Sequence, residues 1–138
     1  MLLQSSSEVD EEREIVPARQ GPPEWKEVDR RLREYAQHRA ALDAAEAFDL
    51  LRAEQLKVHF NFGYVTIYEY MERVLGYGPH AARERMRVAR SLAALPLTTA
   101  VLARGELTYS AVRELTRVAT AETEASWLAA AKGLGRKS

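Results

Sequence analysis

The chain contains no cysteine. Disulfides and thiolate metal sites are thereby excluded, and the expected setting is a reducing one, the cytoplasm. Asparagine occurs once, at Asn61, and 138 residues hold seven glycines and five prolines. Alanine, leucine, arginine and glutamate dominate instead, a composition that favours helix and leaves little for strands. No apolar run has the length needed to cross a bilayer, so no membrane partner is expected. The opening MLLQSSSEVDEERE has no basic region ahead of an apolar run and does not read as a signal peptide. Net charge is missing too, since 20 Lys+Arg balance 20 Asp+Glu.

Signatures of catalysis are equally sparse. The glycines never gather as GxxxxGK or GxGxxG, and no serine stands in GxSxG. No His, Asp and Glu set has metal-site spacing, so neither a metal nor a cofactor is expected. Catalytic residues are therefore nominated nowhere in the chain.

The zero net charge hides an asymmetry. Residues 1–60 hold 9 Lys+Arg against 13 Asp+Glu, and residues 61–138 hold 11 against 7. The second half is thus the side expected to meet an anionic partner. Length and hydrophobic content, 46%, are those of one domain with a modest core.

The periodicity predicts an all-α, multi-helix domain over 24–133. It is preceded by a disordered acidic tail over 1–23, rich in Ser and Glu, and followed by a frayed tail over 134–138. A first helix is expected over about 24–41, with Trp25, Val28, Leu32 and Tyr35 on one apolar stripe. Asp43 and Glu46 have capping-box spacing and mark a second helix reaching about Phe60, burying Ala47, Phe48, Leu51 and Val58. Gly63 then breaks the chain. Thr66 reads as an N-cap with Glu69 three residues on, and Val65 and Tyr70 are placed for a hydrophobic staple over a short helix, about 67–75. Gly76 is the left-handed residue that closes it, and Gly78 and Pro79 open the next, about 79–95. Two helices joined by Gly-Tyr-Gly form the pattern of a helix-turn-helix, whose second helix enters the DNA major groove. Further helices are expected over about 98–104, closed by Gly105; 109–119, capped by Thr108; and 121–132, capped by Thr120 and ended by Gly133. Glu122 and Glu124 are placed to compensate the dipole of the last of these.

The helix beginning at Pro79 collects Arg83, Arg85, Arg87 and Arg90. With Arg83 at zero on a helical wheel, His80 falls at about +60°, Arg87 at about +40° and Arg90 at about −20°. These four share a narrow stripe, with Ala81, Ala82, Met86, Val88, Ala89, Leu92, Ala93 and Leu95 filling the opposite arc and beyond. Such arginines can reach phosphates or donate two bonds to a guanine edge, and the helix N-terminus adds backbone donors. A solvated outer face is the competing reading. Arg113 and Arg117, one turn apart, can extend the basic surface or be ordinary surface charges. Arg85 falls at about −160°, inside the apolar arc, where a guanidinium needs a partner. Glu72 and Glu114 are the first candidates.

The segments ARERMRVARSLAALP, GELTYSAVRELTRVAT and ETEASWLAAA, in this order and spacing, resemble the family called domain of unknown function 222. The resemblance covers roughly Leu42 to Gly133. Members commonly precede an HNH nuclease module in bacterial and phage-like proteins, which implies a DNA-binding accessory domain of a nuclease-like protein. A looser likeness is to the helix-turn-helix region of ParB-type partition proteins, echoed by RSLAALP and ARGELTYSAVREL, with Ser110 and Arg113 at its polar and Arg positions. This implies similar helical packing without the partition function. The nuclease activity does not carry over: His38, His59 and His80 lie on three expected helices, and LGRKS ends the chain where longer members continue. DNA is therefore the expected partner. The alternatives are a protein-interaction module dimerising through Trp25, Val28, Leu32 and Tyr35, and a truncated remnant without activity.

Overall fold

The structure, a computed structural model, describes residues 23–137 and is helical throughout, with no strand among them. Residues 1–22 of the tail expected over 1–23, and the terminal Ser138, lie outside the described residues. Six α-helices follow in order: α1 Glu24–Gln55, α2 Ile67–Arg73, α3 Pro79–Ala93, α4 Pro96–Ala103, α5 Tyr109–Leu115 and α6 Glu124–Lys137. A 3-10 helix, Val58–Phe62, stands between α1 and α2. The chain divides into two compact units between Tyr35 and Ala36.

The first unit contributes the opening third of α1. Its polar residues bond along the helix: Arg30 donates to Glu27 (2.9 Å) and Glu34 (2.7 Å), and Arg33 to Asp29 (3.0 Å). These are the i,i+3 and i,i+4 pairs that support an exposed helix. Trp25, Val28, Leu32 and Tyr35 are all exposed.

The second unit holds the core. Buried Ala40, Ala44, Ala47 and Leu50 of α1 recur at helical spacing, so its inner face is mostly alanine and admits close neighbours. Ile67 and Met71 of α2, Ala82, Met86, Val88, Ala89 and Leu92 of α3, Leu102 of α4 and Val112 of α5 complete one buried cluster. Val101, Leu115 and Leu128 form a smaller one that anchors α6. Truncating a side chain such as Met86 here removes roughly 2–5 kcal/mol.

Several expected boundaries are corrected. α1 runs through the break expected at Leu42–Phe48, because Asp43 and Glu46 are engaged by a distant arginine and cap nothing. It ends at Gln55, where Lys57 adopts a left-handed φ of 57°, and Phe48 is exposed rather than buried. Thr66 does cap α2, accepting from the Glu69 amide at 3.1 Å. Glu69 reaches back to the Val65 amide, also 3.1 Å, while the Val65 side chain stays exposed, so the staple does not form. Phe62 stands beside Tyr70 instead, ring centroids 5.7 Å apart. Gly76 takes the expected left-handed φ, 81°, whereas Gly78, the N-cap ahead of Pro79, has an ordinary φ of −71°. Gly133 does not end α6, which starts at Glu124, later than expected.

Glu124 is the most consequential of these differences. It is only 2% exposed and does not serve its own helix. Its carboxylate accepts from the Thr98 amide (2.9 Å), the Thr98 hydroxyl (2.7 Å) and the Leu97 amide (3.3 Å). Pro96 opens α4, and Leu95 before it offers no side-chain cap, so a carboxylate from α6 caps α4 across the core. At the other end of α4, Gly105 has φ 73°, and a Cβ there would stand 3.0 Å from Gln37 Cα. Glu124→Ala therefore lowers unfolding stability by about 2 kcal/mol in urea titration, while exposed Glu122→Ala changes it by less than about 0.5 kcal/mol. Gly105→Ala costs more than about 1 kcal/mol, and Gly78→Ala, in ordinary backbone, is tolerated.

Candidate nucleic-acid interface

α3 is positioned by its apolar arc. Ala82, Met86, Val88, Ala89 and Leu92 are buried, which turns His80, Arg83 and Arg90 outward. The four arginines nonetheless meet different surroundings, because neighbouring helices bring carboxylates to some and not to others.

Arg85 sits in the most enclosed of these environments. Its Nη1 donates to Asp43 Oδ1 at 2.7 Å and lies 3.5 Å from Glu46 Oε1, both on α1. Its guanidinium carbon stands 3.8 Å from the Tyr109 ring centroid and 5.5 Å from that of Tyr77. A partner was expected, but not these two; Glu72 and Glu114 are not involved. Tyr77 Oη donates to Glu46 at 2.7 Å, and burial followed by that bond pushes its phenol up to about 12. The Tyr109 hydroxyl is buried without a hydrogen-bond partner among the described residues, and burial raises its pKa as well. Its ring, stacked on Arg85, accounts for its place. This cluster ties α1, α3 and α5 and is architectural.

Arg87 and Arg90 are struts as well. Arg87 Nε donates to Glu84 (2.7 Å), and its remaining nitrogens reach the Thr116 hydroxyl and the Arg113 carbonyl at the end of α5, each 3.3 Å. Arg90 donates to Glu54 of α1 (2.6 Å) and to the Tyr68 hydroxyl of α2 (3.2 Å). Those two bonds hold its guanidinium in the charged form more firmly than usual. Arg117 bonds Glu84 at 2.7 Å from the other side, and Arg113 bonds its neighbour Glu114 at 3.3 Å. Glu84 thus lies between two guanidiniums, whose hydrogen bonds, Arg87 first, hold its carboxyl below the usual range.

Arg83 is the exception. It is exposed, has no carboxylate partner among the described residues, and places its guanidinium carbon over the Tyr68 ring, 4.5 Å from the centroid. His80 is exposed one turn ahead of it. Gly78 caps α3 without a side-chain bond, so the first-turn amides receive no acceptor from it. The structure therefore brings His80 and Arg83 together beside the α3 N-terminus. It commits Arg87, Arg90 and Arg117 to bridges between helices. Spacing along α3 could have revealed the Glu84–Arg87 pair; the roles of Tyr68, Glu54, Asp43 and Glu46 arise from other helices and carry no local signal. No group of three or more His, Cys, Asp or Glu is placed to hold a metal ion among the described residues. No family model, curated protein or solved structure matches the chain.

Because the Glu84 carboxyl is depressed in the folded state, its contribution is fully present above the ordinary value of 4.5 and is lost as the pH falls below it. Thermal midpoints of wild type and Glu84→Gln will differ at neutral pH and converge in acid. A gap that stays constant with pH contradicts the bridge.

Proposed function

We propose that this chain is a DNA-binding accessory domain that contacts its partner through the N-terminal end of α3. The observation that carries this reading is Arg83, a cation left unneutralised among the described residues on a helix whose other arginines are engaged, and placed over Tyr68 so that little side-chain freedom is lost on contact. His80 and the first-turn amides of α3 add donors suited to a phosphate. In a helix-turn-helix the residues at the start of the second helix meet the base edges, and α2 followed by α3 has that order. The resemblance to the domain that precedes HNH modules points the same way and is part of the proposal. The contact is smaller than the six-residue surface expected from sequence. Arg113, 38% exposed in its side chain, and Arg117 flank it and supply at most peripheral charge.

A second reading is a protein-interaction module. It is favoured by the exposed apolar stripe of Trp25, Val28, Leu32 and Tyr35, which an isolated domain leaves in water.

Gel retardation of a random-sequence duplex at two salt concentrations tests the primary reading. Wild type binds, and more weakly at high salt, because each neutralised phosphate releases counterions. Arg83→Ala weakens binding and reduces the salt slope by about one contact, while Arg87→Ala mainly lowers the melting temperature. Absence of binding by wild type at low salt, or binding unchanged in Arg83→Ala, refutes it.

A further inference from the structure

The second unit carries an apolar groove of about 630 Å³ between the later half of α1, the end of α3 and α4. Its floor is largely alanine, including Ala47, Ala89 and Ala100, and its rim is Phe48, a large ring left 68% exposed, with Leu51 beside it. Small side chains on a floor of this kind let another helix approach closely. At one end stands Arg52, bonded only to Gln55 at 3.0 Å and without a carboxylate partner among the described residues.

The first unit carries the complementary object. Trp25, Val28, Leu32 and Tyr35 fall on one face of α1 at i, i+3, i+7 and i+10 and are between 40% and 66% exposed. This is the anchor spacing by which an amphipathic helix enters a groove. Several polar residues on its other faces bond to one another, Arg30 to Glu27 and Glu34 and Arg33 to Asp29. The first turn beside Trp25 carries the carboxylate of Glu24, opposite in charge to Arg52.

We infer that two copies of this chain associate by exchange, the Trp25–Tyr35 stripe of each copy entering the Phe48 groove of the other. The argument for a second copy is that the chain supplies both halves of the contact. Reciprocal exchange also yields a closed two-fold assembly, whereas a one-way contact propagates. Area favours exchange as well. One stripe of four side chains falls short of the roughly 800 Å² per partner of a stable interface, and two stripe-in-groove contacts double what is covered. The association stands apart from the α3 contact and does not depend on it.

Sedimentation equilibrium of the full chain tests this with Leu32→Asp in the stripe and Phe48→Asp at the rim. Both positions are exposed, so circular dichroism should show unchanged helix content; Leu32→Ala and Phe48→Ala serve as milder replacements if it does not. Wild type dimerises, each variant alone dissociates at least tenfold more readily, and an equimolar mixture of the two regains affinity, because one intact stripe meets one intact groove. In a Trp127→Phe background, Trp25 emission shifts to the red on dilution and no longer does so with Phe48→Asp. A monomeric wild type overturns the inference. So does a dimer indifferent to Phe48→Asp, which means stripe on stripe; one indifferent to Leu32→Asp, which means groove on groove; or a mixture no tighter than its components.

Discussion

Enclosing a guanidinium without an anion beside it costs several kcal/mol, a large share of the 5–15 kcal/mol that holds a domain together. The four arginines of α3 are distributed by that constraint. The apolar arc of the helix turns Arg85 inward, and α1 answers with two carboxylates about one turn apart, Asp43 and Glu46. Arg90 at the far end meets Glu54 on the same α1 helix, and Arg87 meets Glu84, which also holds Arg117. The bridges thus double as the polar frame around a core that mixes alanines with Met71, Met86 and Leu102. The same economy appears in Glu124, an acid enclosed because α4 begins with a proline and has no cap of its own.

Function follows from what the frame leaves over. A helix with arginines on every turn would bind anions non-specifically along its length if all were free. Internal pairing withdraws Arg85, Arg87 and Arg90 and concentrates the remaining charge at Arg83, next to the helix end where backbone donors lie. In the function we propose, contact with DNA is short and oriented, and stability and binding reside in different arginines of one helix. The apolar surfaces obey a parallel logic. The stripe on the first unit and the groove on the second are apolar surfaces left in water, and the proposed exchange would cover both.

Much of the architecture was legible locally. Thr66, Gly76, Pro79, Gly105 and Thr108 sit at the helix ends where capping chemistry places them, because caps depend on residues within a turn or two. The apolar arc of α3 was read correctly at Ala82, Met86, Val88, Ala89 and Leu92 for the same reason, while Ala81 and Ala93 are exposed. Failures came where a distant partner overrode a local signal. Asp43 and Glu46 have capping-box spacing, but Arg85, some forty residues on, claims both and α1 continues. Thr120 and Glu124 suggested an earlier start to α6, yet Glu124 is drawn to α4. A wheel shows which side chains share a face; it does not show that Glu54, Tyr68 or Thr116 waits opposite that face, so the arginine stripe looked uniform when it is not.

The division among the arginines is read most directly by phenylglyoxal modification of the full chain, followed residue by residue with mass spectrometry, without and with duplex DNA. The account predicts that Arg83 reacts well before Arg85, Arg87 and Arg90, and that DNA protects Arg83 while leaving the others at their slow rates. Equal reactivity along α3, or DNA protection of Arg87 and Arg90 in place of Arg83, would contradict it.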